Sequence, residues 1–164
     1  MRATSVLRFA LFGAVGLGIG GAIATVTLLV PLVGAIGGAF LGLALKDGRK
    51  AGVLALLGSV GTYLGFIGAN VAFMAGLPVE SLTGKAAVMG AIVGASLGIG
   101  FVDWPRVVSL AVAGAVGFGV GGAIAGYSPF GLIAESLIGG ATLGAALGYL
   151  ETRKLAEVRR SRAR

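Results

Sequence analysis

Glu135 stands inside an otherwise apolar stretch, "FGLIAESLIGGATLGAALGYL" (130–150), six residues after Pro129. At ~1.5 Å of rise per helical residue, six residues carry it about 9 Å along a helix axis. An ionisable side chain inside a membrane-length apolar segment is costly, and by default it is a candidate for handling a proton or an ion. Aligned with the other apolar stretches, Glu135 matches the level of Met89, one turn inside Lys85, so an ion pair between Glu135 and Lys85 is expected. Asn70, Thr25 and Tyr127 fall near the same end, and together these residues outline a polar vestibule. The plainer alternative is a glutamate that reaches interfacial water, caps its helix or pairs locally.

Other motifs look chemical and resolve into packing. "GLGIGG" (16–21) and "GFGVGG" (117–122) satisfy G-x-G-x-x-G, but a dinucleotide fingerprint needs a preceding strand and a βαβ unit, and here the motif lies in mid-span. "SLTGKAA" (81–87) echoes a phosphate loop, yet Val79 stands where the first glycine belongs and Ala86 where Ser or Thr belongs. The chain has no Cys and no His, so it offers no thiolate or imidazole for metals, haem or nucleophilic chemistry. No catalytic, metal or cofactor site is expected.

The elements that must hold Glu135 are set by composition. Hydrophobic residues make up 57% of the 164-residue chain, charged ones only 12%, and mean hydropathy is +1.01. Water would not solvate such a surface, whereas a bilayer would. Thirty-two glycines with few aromatics suit membrane helices, in which small residues let backbones approach. The net charge of +7 would invite nucleic acid only if the cations formed a solvated face. They sit between apolar runs, so no nucleic acid is expected.

Residues 9–45 carry no charge, a run too long for one span of ~20 residues and enough for two short ones. It reads as a helical hairpin that turns near "TVTLLVP", with Pro31 in the first turn of the second helix. Further spans are read at 51–76, 86–102, 107–127 and 130–150. The expected fold is therefore all-α, with six transmembrane helices. Under that count the termini and the loops 46–50 and 103–106 share one side and hold twelve of the 13 Lys and Arg, while the other side holds Lys85. Positive charge accumulates in cytoplasmic loops, which places both termini in the cytoplasm, and a prokaryotic cytoplasmic membrane is the expected location. Arg2, Arg8 and "AIA" before Thr25 also have the look of a secretory signal, but "GGAIA" recurs at 121–125, deep in the chain.

The phrase "GAVGLGIGGAIA" (13–24) returns as "GAVGFGVGGAIA" (114–125). Odd spans share a four-residue frame: Gly16 and Gly20, Gly61 and Gly65, Gly117 and Gly121. Even spans carry GxxxGxxxG: Gly34, Gly38 and Gly42; Gly90, Gly94 and Gly98; Gly140, Gly144 and Gly148. Residues four apart share a helix face, so these glycines form grooves for neighbouring backbones. The expectation is three tandem glycine-zipper hairpins (about 1–50, 51–105 and 106–150), parallel repeats around a pseudo-threefold axis, followed by a basic cytoplasmic tail (151–164).

A GxGxG helix followed by a helix with a buried carboxylate resembles the hairpin of rotary ATPase proteolipid subunits, in which that carboxylate carries a proton or sodium ion. The resemblance rests on Gly16, Gly18 and Gly20, on Gly117, Gly119 and Gly121, and on Glu135. The first two hairpins lack the carboxylate, "GYSPFG" lacks that family's polar loop, and the topology is reversed, so no membership follows.

The expected role is non-enzymatic: an accessory or scaffold subunit whose partners are the bilayer and other membrane subunits or itself, with anionic lipid at the basic tail. The competing expectation is a small transporter or channel component with an outer polar site at Glu135, Lys85 and Asn70.

Overall fold

The computed structural model of the chain describes residues 2–77, 81–126 and 130–162. It is helical: α1 (Arg2–Thr27), α2 (Pro31–Ala44), α3 (Gly48–Met74), α4 (Leu82–Ile99), α5 (Trp104–Ala125) and α6 (Gly131–Arg162). Local chemistry explains the boundaries. Pro31 and Pro105 stand in the first turn of α2 and α5, where a missing N–H costs nothing. Asp47 caps α3 by accepting 3.1 Å hydrogen bonds from the N–H groups of Arg49 and Lys50, and Ser81 Oγ caps α4 by accepting from the Gly84 N–H at 3.0 Å. Gly126 ends α5 with a positive φ of 54°, a conformation that suits glycine.

Five helices are long and apolar enough to cross a membrane. The exception is α2, with 14 residues, and at ~1.5 Å per residue it rises only about 21 Å against a hydrocarbon core of about 30 Å. The C-terminus adds a detail that the sequence left open. The segment read as a basic tail is a continuation of α6 through Arg162, supported by an Arg153–Glu157 pair at 3.2 Å.

Each helix packs on the next in the chain, and α6 packs on α1, so the six close into a ring. The even helices sit inside it: α6 touches α2 and α4, and the sole exposed residues of α2 and α4 are Leu43 and Ile99. The core holds Leu17, Leu54 and Phe118 from odd helices, and Leu41, Val93, Leu143 and Leu147 from even ones. Odd helices turn large apolar side chains outward.

Helix contacts run backbone to backbone. A Cβ built on Gly34 would collide with the carbonyl oxygen of Gly58, and one on Gly58 with that of Gly34. The same reciprocal collision joins Gly90 with Gly114 and Gly140 with Gly13. One turn along, Gly38, Gly94 and Gly144 face the carbonyl oxygens of Leu54, Leu110 and Phe9. Between helices of one hairpin, a Cβ built on Gly20 would lie 2.6 Å from Val33 Cα, one on Gly65 2.9 Å from Met89 O, and one on Gly121 2.8 Å from Glu135 Cα.

These contacts set a graded expectation. Gly38→Leu and Gly94→Leu, which drive a side chain into a facing backbone, are expected to leave no folded protein in detergent. Gly52 lies on the outer side of α3 with nothing within 4 Å of its added Cβ. Gly52→Ala is therefore expected to preserve the thermal melt or stabilise the helix by ~0.5–1 kcal/mol. Equal behaviour of the three variants in a circular-dichroism melt would contradict this packing.

Candidate functional site

All fifteen glycines singled out by spacing lie on buried faces. The polar residues behave individually, according to what their own helix offers. Thr62 is buried and donates from Oγ1 to Gly58 O at 2.7 Å, Thr25 Oγ1 donates to Gly21 O at 2.8 Å, and Asn70 Nδ2 donates to Phe66 O at 2.7 Å. Each bonds back to a carbonyl four residues earlier, which satisfies its donor without water. Asn70 and Thr25 are exposed, on the outside of the bundle, so the structure does not gather them around Glu135. Tyr127 lies outside the described residues.

Glu135 lies on the inward stripe of α6, 7% exposed, with its backbone pressed against Gly121 of α5. The corresponding contacts of the other hairpins are made by Val33 and Met89, both buried, so a carboxyl takes a position elsewhere given to apolar side chains. The ion pair expected with Lys85 is not formed. Lys85 Nζ instead lies 3.9 Å from the centroid of the Phe73 ring, a cation–π contact between α3 and α4. The four ion pairs among the described residues are Lys50–Asp47, Arg106–Asp103, Arg106–Glu151 and Arg153–Glu157, and Glu135 belongs to none. Beside it, Ser136 is fully buried against Gly21 of α1 and is the one buried side chain among the described residues whose oxygen lacks a hydrogen-bond partner. Two polar groups thus sit side by side near the start of α6, facing α5 and α1, Glu135 outside the ion pairs and Ser136 Oγ without a hydrogen bond among the described residues.

A second polar centre escaped the sequence reading, in which "DWPR" (103–106) is only a loop between spans. Trp104 is exposed, but Arg106 turns inward. Its Nε lies 3.2 Å from Asp103, its Nη1 lies 3.0 Å from Glu151 of α6, and its Cζ lies 4.9 Å from the centroid of Phe101. The signal was the D-x-x-R spacing at a helix start, which places the pair one turn apart. Glu151, 45 residues away, was not legible as the third member. At the same end Arg8 Nη2 donates to Ala44 O at 2.9 Å, supplying a cation to the C-terminal carbonyls of α2.

No group of three or more His, Cys, Asp or Glu among the described residues is arranged to hold a metal ion. The chain matches no protein-family model, no curated protein and no solved structure.

Arg106 carries a checkable consequence. Its side chain is 8% exposed, while Asp103 and Glu151 are 44% and 25% exposed, so solvent screens part of the interaction. Arg106→Ala removes the cation and leaves Glu151 without its partner, at a cost of ~1–3 kcal/mol, between a surface pair and a fully buried one. Arg153→Ala, which breaks a pair exposed on both sides, is expected to leave the melt unchanged. Equal melting temperatures for the two variants would refute a structural role for the Arg106 cluster.

Proposed function

We propose that the chain is a non-enzymatic integral membrane component, an accessory or scaffold subunit of a larger membrane assembly, built as three tandem glycine-zipper hairpins with pseudo-threefold symmetry and cytoplasmic termini. The observation that carries this reading is the outer surface of the ring. On α1, Leu7, Leu11, Val15, Ile19 and Ile23 form an exposed ridge at four-residue spacing, and on α5, Val108, Val112, Val116, Val120 and Ile124 form another. Ridges of that spacing are what one helix seats in the groove of another. The glycine faces are consumed inside the ring, which leaves the ridges as the surfaces for neighbours.

Support for the tandem architecture comes from the matched contacts of Gly34, Gly90 and Gly140. It also comes from two turns of the same build: Lys46 and Val102 both have positive φ (58° and 52°), and each precedes an extended aspartate. Left-handed backbone at a β-branched residue such as Val102 is uncommon, so its recurrence at one place in successive hairpins is informative. The excess of Lys and Arg at the end holding these turns supports the cytoplasmic assignment.

A tagged copy solubilised from its native membrane in mild detergent is expected to bring down larger subunits in fixed ratio, read by mass determination. Recovery as a monomer would sink the scaffold reading. The second reading, a carrier of protons or small cations, is favoured by the adjacent burial of Glu135, which joins no ion pair among the described residues, and Ser136, whose oxygen has no hydrogen-bond partner among them. In liposomes it predicts at least a tenfold loss of flux for Glu135→Gln with the fold retained. A scaffold shows no flux to lose, and its assembly tolerates the same change.

A further inference from the structure

The two turns at the charged end place two cations alike and then treat them differently. Asp47 and Asp103 each begin a helix in extended backbone and each pair with the cation three residues on, Lys50 at 3.9 Å and Arg106 at 3.2 Å. Eight residues beyond each cation stands a glycine, Gly58 or Gly114, pressed on a glycine of the preceding helix. Around Arg106 the seam is closed. The helix α6 runs past that level to Arg162 and delivers Glu151, 3.0 Å from the guanidinium. Around Lys50 it is open, because α4, which would have to supply the matching carboxylate, stops at Ile99 and turns into the next linker.

A groove of about 310 Å³ remains between the start of α3 and the end of α4, lined by Asp47, Arg49, Lys50, Val53, Leu54 and Phe101 along with Gly100. That volume is at the lower end for small-ligand sites. Its charge is unbalanced: Arg49 and Lys50 stand against Asp47, whose Oδ1 already accepts from two backbone N–H groups. Its deeper wall is apolar, and Val53 and Leu56, 43% and 67% exposed, continue that wall onto the outer side of α3.

We infer that this groove binds the headgroup of an anionic phospholipid, its phosphodiester lying beside Arg49 and Lys50 where Glu151 lies beside Arg106, and its acyl chains following the outer face of α3. A charged rim over an apolar wall at a helix end is the chemistry of a lipid at the membrane boundary, where basic residues draw anionic headgroups. A free anion would make no use of the apolar side. The inference rests on the reading of these helices as membrane-embedded, with this end at the headgroup level.

The test is native mass spectrometry of the full chain in mild detergent, with phosphatidylglycerol and phosphatidylcholine supplied at equal concentration. One phosphatidylglycerol per chain is expected, retained at least tenfold better than phosphatidylcholine. The double variant Arg49→Gln with Lys50→Gln is expected to lose that retention tenfold. Val53→Glu, which keeps both cations and sets a carboxylate one turn from Lys50, is expected to do the same. Arg153→Gln with Lys154→Gln removes equal charge from the α6 extension and is expected to change nothing. Melting curves matching the parent show that the variants are folded. Equal loss in the α6 variant, retention in the groove variants, or displacement of the lipid by excess inorganic phosphate would overturn the inference. A chain that stays dispersed after detergent removal would overturn the membrane reading itself, whereas one that inserts into liposomes yet holds no phosphatidylglycerol would overturn the groove alone.

Discussion

The architecture depends on the absence of a Cβ at places where two helices meet. Apolar burial does not drive helices together in lipid, because the tails are as apolar as the side chains, and what remains is dispersion at close range and the electrostatics of approaching backbones. Gly34 against Gly58, Gly90 against Gly114 and Gly140 against Gly13 each bring a carbonyl oxygen to the place a methyl group would occupy. That geometry directs a glycine Cα–H at a facing carbonyl, a weak interaction that gains from repetition. It also requires size compensation nearby: Phe118 fills the space left by Gly139, and Leu17 fills that left by Gly37.

Backbone packing of this kind leaves little interior room, and the polar residues show the consequence. The side chains of Thr25, Thr62, Asn70 and Thr142 fold back on their own helix carbonyls, which supplies each a partner without a neighbouring helix. Charged residues concentrate at one end, where Arg8, Lys50 and Arg106 serve three different seams by three different means: a carbonyl of α2, the cap of its own helix, and a carboxylate of α6. The difference arises from where the even helices stop. Both α2 and α4 end in tight turns, whereas α6 continues through Arg162, and among the described residues it alone of the three reaches back with a carboxylate to a cation on the adjoining helix. Glu135 and Ser136 stand outside this order, buried at the other end of α6 with neither a back-bond nor an ion pair among the described residues.

The amino-acid sequence by itself determined the helical class, the apolar character of the helices and most of their boundaries, including the turn before Pro31. These are local properties, set by uninterrupted hydropathy, by proline geometry and by caps a few residues away. It also determined that Glu135 would lie inside a span, since that needs only its distance from Pro129. Only the tertiary structure decided which surfaces meet: the closure of α1 on α6, the inward turn of Arg106 towards Glu151, the seating of Lys85 over Phe73 instead of beside Glu135, and the outward facing of Asn70. It also decided that α2 has 14 residues and that α6 continues to Arg162. The physical reason is that hydropathy reports the solvent a helix prefers and says nothing of the neighbour it chooses. That choice is made by shape between residues far apart in the chain, and glycine, which shapes these contacts, carries no side chain by which a one-dimensional pattern could identify its partner.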